Sequence, residues 1–370
     1  MDRKFLSLFS MHFFYIASHV FGGTLMTFYF LQKGYSPLDI ALYFALSFIV
    51  SIFVIMGIKS FRSDSSMRIG IILKMAVFLV AAWLFARPLF FLVGIISGFN
   101  TIYYWAPLNI QFFKFRKVGK NATHSGLYFL MWPILNTILP TLAGAAAAAH
   151  GMVPVLISGA ILLIPSLLIS SGIKDDERIH FSFKDFVKRT KGVKTILFIQ
   201  GIWEGVDWVV VPIATYALIS SELKYGAFYS YLGVFGIVTF FLMAHISDRL
   251  KKRAVFLYPV TIAMALATML SGLSSSLIEW GFYRGIVSFL VTVFSSFSLA
   301  LVVDVSHNIA DTMISREFFL NFGRALGAAI VAAVVLFSGN INHALVVSGA
   351  IMLLHPLFLR LKKDNYHVSV

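Results

Sequence analysis

Twelve long apolar stretches follow one another along this 370-residue chain, with only short polar breaks between most of them. An α-helix needs about 20 apolar residues to cross the hydrocarbon core of a bilayer. The stretches are continuously apolar, whereas the strands of a membrane barrel are about ten residues long and alternate with period two. The sequence therefore predicts an all-α membrane protein with twelve transmembrane helices, hereafter spans 1 to 12.

Charged residues and Pro or Gly mark the expected ends of the spans. The predicted spans lie near residues 5–31, 36–58, 69–86, 88–112, 124–147, 152–172, 196–219, 227–246, 254–274, 277–303, 317–338 and 342–360. Lys74 lies inside the predicted third span. We interpret it as a lysine whose ammonium group snorkels to the membrane surface.

The excess of basic residues predicts the orientation of the chain in the membrane. The net charge is +14, which in a soluble protein would suggest a nucleic-acid partner. Only 12% of the residues are charged, however, and the mean hydropathy is +0.86. Of the 30 Lys and Arg residues, 24 fall in alternate loops on one side of the spans. Because cytoplasmic loops carry such an excess, we expect a multi-pass protein of the cytoplasmic membrane with both termini inside and no nucleic-acid partner.

One polar segment divides the chain into two similar parts. Residues 173–195 separate six predicted spans in 1–172 from six in 196–370. Within the segment, Ser182 and Asp185 have the spacing of a helix N-cap pair, and Phe183, Phe186 and Val187 share one face. We expect a cytoplasmic linker with a short amphipathic helix on the membrane surface. Two six-span bundles related as parallel repeats are typical of a large class of transporters.

Two stretches carry a more specific resemblance. Residues 244–253 read AHISDRLKKR, and residues 316–324 read REFFLNFGR. The first is similar to the Gly-x-x-x-Asp-Arg-x-x-Arg-Arg loop of the major facilitator superfamily, and the second resembles a pattern in some prokaryotic permeases. The resemblance implies alternating access in a monomer, with Asp248 and Arg249 bonding neighbouring helix ends.

The second stretch places three polar residues on one stripe of span 11. Glu317, Asn321 and Arg324 are separated by four and three residues, so their side chains share a helix face. We interpret Glu317 and Arg324 as a structural ion pair.

Ionisable residues inside the spans are the strongest functional candidates, because each is costly in a membrane without a partner or a wet cavity. Glu204 and Asp207 lie near the middle of span 7, on one face, and form a candidate proton site. A buried ion pair that locks helices together is the alternative. Arg284 in span 10 is a counter-charge for Asp207 or a ligand for an anionic substrate. His19 in span 1 is a relay or an ordinary packed histidine.

Aromatic and amide side chains near these groups are candidates for a substrate pocket. Small-molecule sites combine apolar and aromatic walls with a few polar groups. Asn100, Tyr104, Trp132, Asn136 and Trp203 supply such groups on spans 4, 5 and 7. Ordinary helix packing is the alternative interpretation for each of them.

The combined interpretation is a secondary active transporter that moves a small organic solute by alternating access, coupled to protons. Its expected partners are the solute and membrane lipids, and we expect no cofactor or metal site. The alternatives are a multidrug efflux antiporter, an intramembrane enzyme acting on lipids, and a transporter-like sensor. The chain contains no Cys, which excludes disulfides, thiolate metal sites and cysteine nucleophiles.

The predicted topology is directly testable, because single cysteines can be introduced into a chain that has none. Cysteines at Gly119 and Lys188 should react with a membrane-impermeant maleimide only from the cytoplasmic face. Cysteines at His150 and Glu222 should react only from the outside. Labelling of Lys188→Cys from the outside would contradict the two-bundle arrangement.

Overall fold

The computed structural model describes residues 3–114, 121–173, 178–181, 193–247, 253–304 and 308–361. For residues 3, 121–130, 243–247, 253–255 and 304 it describes the backbone only. The linker helix expected near residues 182–192 lies outside the described residues, as do Asp248 and Arg249.

The described part of the chain is almost entirely helical. The spans, in order, are Arg3–Gly23 with Met26–Gln32, Pro37–Gly57, Ser63–Ala82, Arg87–Lys114, Asn121–His150, Met152–Ile161 with Leu163–Ser171, Lys194–Leu218, Glu222–Ser247, Arg253–Gly272, Leu277–Asp304, Ile309–Ser338, and His343–Met352 with Leu354–Leu361. Eleven of them are long and apolar enough to cross a membrane. The other, span 9, has a shorter apolar part at Phe256–Gly272. The predicted all-α membrane fold is confirmed.

Several helices begin earlier than their apolar stretches do. Span 3 begins at Ser63 instead of residue 69, span 8 at Glu222 instead of 227, and span 11 at Ile309 instead of 317. A helix continues while its backbone hydrogen bonds are satisfied, and polar residues cap its first turn. Asn308 does so for span 11, where its side chain accepts from two backbone N–H groups.

Contacts between the first six and last six spans follow two pairs of helices. Span 2 packs along span 11, and span 5 packs along span 8. Elsewhere, span 1 packs on spans 5 and 6, span 3 on span 4, span 7 on span 11, and span 9 on spans 10 and 12. The domain boundaries at residues 172 and 195 remain predictions.

Two short strands occur where the sequence predicted none. Ser60–Arg62 (β1), between spans 2 and 3, pairs antiparallel with Arg178–His180 (β2), which follows span 6. Ile179 of β2 is buried in an apolar cluster that includes Ile55 of span 2 and Ile196 of span 7. Part of the predicted linker is therefore attached to the spans. Three-residue strands are too short to give an alternating signal.

Glycines bring spans 7 and 11 into backbone contact. Gly201 and Gly205 on span 7 face Gly323 and Gly327 on span 11, so each helix has a Gly-x-x-x-Gly spacing. A Cβ atom at Gly205 would lie 2.6 Å from Cα of Arg324, and one at Gly323 would lie 2.8 Å from the backbone N of Ile202. Small residues at this spacing are the usual means by which membrane helices approach closely.

We expect Gly205→Ala to destabilise the protein, because its methyl group has no space between spans 7 and 11. The melting temperature of the purified protein in detergent should fall by several degrees. Gly57→Ala is the matched control, since no atom lies within 4 Å of its Cβ position. Equal melting temperatures for the two variants would contradict the close approach.

Candidate functional site

Span 7 carries two carboxylates close to its midpoint, and the structure gives them separate partners. The helix Lys194–Leu218 has 25 residues, so Glu204 and Asp207 lie on either side of its centre. Glu204 faces span 11, whereas Asp207 faces span 10. The side chains therefore do not act as one carboxylate pair with a single partner, although three residues separate them in the chain.

Glu204 is held by several polar groups. Arg324 donates to its Oε2 from Nε at 2.7 Å, and its Nη2 lies 2.5 Å from the same oxygen. Gln200 donates to Oε1 at 2.8 Å and itself accepts from Ser298 of span 10 at 2.8 Å. This network connects spans 7, 10 and 11 and leaves neither Glu204 oxygen without a partner.

The predicted pairing of Glu317 with Arg324 is present as a long ionic contact, and each partner has a shorter one. Their nearest charged atoms are 3.9 Å apart, and the 2.7 Å partner of Glu317 is its neighbour Arg316. Asn321 donates to the backbone oxygen of Glu317 at 2.7 Å. Arg324 points toward Glu204 because the facing glycines bring the backbone of span 7 next to the helical turn that carries Arg324.

Asp207 has a much simpler environment. Nη2 of Arg284 lies 2.8 Å from its Oδ1, as the sequence interpretation anticipated for a counter-charge. Arg284 is only 5% exposed, yet its Nε and Nη1 have no hydrogen-bond partner among the residues that the structure describes. Glu204 and Tyr229 of span 8 also interact electrostatically with Asp207. Within the described part of the chain, Asp207 is therefore held by one ionic contact in a buried site.

Trp208, the residue after Asp207 in span 7, lies beside the Glu204–Arg324 pair. The Arg324 guanidinium lies over its ring at 4.5 Å, and the ring of Phe48 on span 2 is 6.0 Å away. The ring is nevertheless 43% exposed.

In the first six spans, two candidate residues serve helix packing. Asn100 accepts from the Tyr15 hydroxyl at 3.0 Å and donates to the Gly70 carbonyl oxygen at 2.7 Å, which connects spans 1, 3 and 4. Tyr104 is fully buried, stacks on Tyr15 with ring centroids 3.4 Å apart, and hydrogen-bonds His12 at 2.9 Å. Their polar groups are thus used within the bundle.

Span 5 connects the two sets of candidate residues. The Trp132 ring lies 5.3 Å from His19 and is 39% exposed. One turn further along, Asn136 donates to the backbone oxygen of Tyr229 at 3.5 Å. Tyr229 is the residue whose side chain lies near Asp207 and Arg284. His19, Trp132 and Asp207 therefore border one central region between the first and last six spans.

Trp203 packs span 7 on span 9. It is 3% exposed, and its Nε1 donates to Thr268 of span 9 at 3.0 Å. This hydrogen bond uses the polar group of the indole within the helix packing. The assignment of Trp203 to the substrate site remains a prediction.

Lys74 is placed differently from the prediction. Because span 3 begins at Ser63, Lys74 is its twelfth residue of 20 and lies near the middle of the helix. Its side chain is 6% exposed, so it does not snorkel. The apolar stretch begins later than the helix does, so it placed Lys74 too close to the helix end.

Asp64 occupies the helix end in the first half that corresponds to the loop expected around Asp248. It is the second residue of span 3, is 1% exposed, and makes ionic contacts with Arg62 at 3.1 Å and Arg68 at 2.8 Å. A buried carboxylate at a helix N-terminus is favoured by the helix dipole as well as by the two arginines. The sequence interpretation did not single out this anchor.

The Glu204–Arg324 contact should be mainly structural. Glu204→Gln leaves the 3.9 Å contact to Glu317 as the one ionic contact of the buried Arg324 among the described residues, which should cost up to about 3–5 kcal/mol of stability. We expect a clear fall in melting temperature. The double variant Glu204→Gln/Arg324→Gln removes both charges and should recover part of the loss. Strict additivity of the two single effects would contradict a direct interaction.

Comparison with known proteins supports the architecture. No family model matches the chain, and no curated protein matches its sequence. Solved structures match it over nearly its whole length. The human organic anion transporter MFSD10 (TETRAN) is 12% identical with a TM-score of 0.67, over 97% of this chain and 100% of that one. The Escherichia coli fucose:proton symporter FucP is also 12% identical with a TM-score of 0.67, over 97% and 98%. This chain therefore has the fold of the major facilitator superfamily transporters.

Proposed function

We propose that this protein is a proton-coupled secondary transporter that moves a small organic solute across the cytoplasmic membrane by alternating access. The observation that carries the proposal is the buried Asp207–Arg284 pair at the midpoint of span 7, in the central region between the two sets of spans. Both structurally similar proteins are transporters, and one is a proton symporter, which supports this class of function.

Asp207 is the proposed proton site, and Glu204 is the structural carboxylate. A coupling carboxylate must exchange its proton as access alternates, so its ionised form cannot be held too firmly. Glu204 receives several donors, whereas Asp207 has a single ionic contact with Arg284. When Asp207 takes up a proton, that contact weakens and the Arg284 guanidinium is released toward the central region. Reversible pairing of this kind is the usual role of carboxylates in intramembrane proton relays.

The proposed solute site lies between Trp132 and Trp208. Both indoles are partly exposed although they belong to the middle of their spans. Asn136, Tyr229 and the unpartnered N–H groups of Arg284 provide nearby polar contacts. Aromatic walls with a few polar groups are typical of small-molecule pockets.

The first six and last six spans also contact each other above and below the depth of the proposed solute site. Phe28 of span 1 packs on Tyr216 and Tyr225 of spans 7 and 8 toward the predicted outer surface. At the other end, Val54 of span 2 shares a buried cluster with Ile314 of span 11. A central site with closable contacts on either side is what alternating access requires.

Multidrug efflux by an antiporter remains the second candidate, because the two exposed tryptophans offer an adaptable aromatic surface. A thermal-shift screen of the purified protein against sugars, amino acids, organic anions and lipophilic cations separates the two. Stabilisation by several unrelated lipophilic cations favours efflux, whereas stabilisation by one class of small polar solute favours the proposed transporter.

Asp207→Asn should abolish coupling while preserving the site. The substitution keeps the side-chain shape and removes its titration. In proteoliposomes with an imposed pH gradient, the wild type should accumulate a ligand from the screen above its equilibrium level. The variant should only equilibrate it, with exchange of internal and external ligand retained.

Glu279→Gln is the control, because Glu279 is exposed at the start of span 10 and its neutralisation should not affect accumulation. Wild-type accumulation by Asp207→Asn would show that the pair with Arg284 is structural and that the coupling site is elsewhere.

A further inference from the structure

Lys74 differs from the other deeply buried basic residues. Among the residues that the structure describes, Arg284 and Arg324 each contact a carboxylate of span 7. Lys74 is equally buried, at 6% exposed, and no carboxylate contacts it within the described part of the chain. An ammonium group in the middle of a span is costly without a counter-charge.

Polar groups close to Lys74 on spans 3 and 4 are already hydrogen-bonded, whereas one ring nitrogen of His19 on span 1 is not. The Gly70 carbonyl one turn away accepts from Asn100, and Asn100 accepts from Tyr15. The Lys74 ammonium lies 4.8 Å from the centre of the Phe78 ring, and the same ring lies against Gly22, one turn from His19 on span 1. The Nδ1 atom of His19 is buried and has no hydrogen-bond partner in the described structure.

This pair of basic groups borders the central region. The His19 ring lies against Trp132, which is the partly exposed residue of the proposed solute site. Trp105 on span 4 lies 6.4 Å from Trp132 and completes an aromatic wall next to His19. A molecule that contacts Trp132 can therefore reach His19, with Lys74 behind it.

We propose that Lys74 and His19 form the subsite that binds the carboxylate of a small organic anion, whose apolar body packs on Trp132 and Trp105. This inference rests on the proposed function, because it identifies the class of solute for the same central site. One uncompensated positive charge matches one negative charge, which favours monocarboxylates. The charge-assisted hydrogen bonds from Lys74 and His19 would supply the missing partners of both groups.

The test measures binding and does not depend on proton coupling. Benzoate, hexanoate and acetate are titrated into the full-length protein in nanodiscs, alongside benzamide and benzylamine, with melting temperature and calorimetry as readouts. We expect benzoate or hexanoate to bind and stabilise the wild type, and the isosteric amide and the amine to have no effect. Absence of binding by all three carboxylates, or equal binding of benzoate and benzamide, would overturn the inference.

Substitutions then locate the subsite. Lys74→Met should weaken carboxylate binding at least tenfold without lowering the melting temperature of the free protein, because it removes an uncompensated charge. Lys74→Arg should retain part of the affinity. Lys33→Met is the matched control, since Lys33 also lies over an aromatic ring, that of Tyr29, but is exposed. Unchanged carboxylate affinity in Lys74→Met would overturn the assignment. If that variant does not fold, His19→Asn is tested in its place. We expect its carboxylate affinity to fall severalfold, and an unchanged affinity would again overturn the assignment.

The experiments distinguish a failure of the carboxylate subsite from a failure of the proposed proton-coupled transport. Carboxylate binding that depends on Lys74, without accumulation under a pH gradient, would support the subsite and reject proton coupling. Accumulation of a neutral sugar or an amine under a pH gradient, with no carboxylate binding, would support coupled transport and reject the subsite.

Discussion

The close approach of spans 7 and 11 determines how the charges in the centre of this protein are arranged. Four glycines, two on each helix, allow backbone contact at the level where Glu204 and Arg324 meet. A buried arginine and a buried glutamate are each unfavourable in a membrane, but in contact they stabilise each other and fix the relative positions of two helices. The same contact orients span 7 so that Asp207, on its next turn, faces Arg284 on span 10.

This geometry separates two carboxylates that sequence spacing had grouped together. Glu204 accepts from Arg324 and Gln200, so its ionised form is extensively bonded. Asp207 has one ionic contact, and the remaining N–H groups of Arg284 have no partners. The difference in bonding is the physical basis for assigning one carboxylate to the structure and the other to proton exchange.

The first six spans contain no equivalent charge pair at the same depth among the residues described. Their buried contacts there are hydrogen bonds between neutral groups, such as Tyr15 to Asn100 and His12 to Tyr104, together with the single cation Lys74. The central region is thus asymmetric, with balanced ion pairs on one side and one uncompensated positive charge on the other. In the proposed mechanism the solute supplies the balancing charge.

The sequence by itself determined the helical membrane fold, because span length and hydropathy follow from bilayer thickness. It also named Arg284 as a candidate counter-charge for Asp207, since few other charges lie inside spans. It could not show that Arg324 prefers Glu204 to Glu317, because that choice depends on which backbones the glycines bring together. Nor could it place Lys74, because apolar stretches do not define where a helix begins. Those assignments required the tertiary structure, since buried charges respond to neighbours that are distant in the chain.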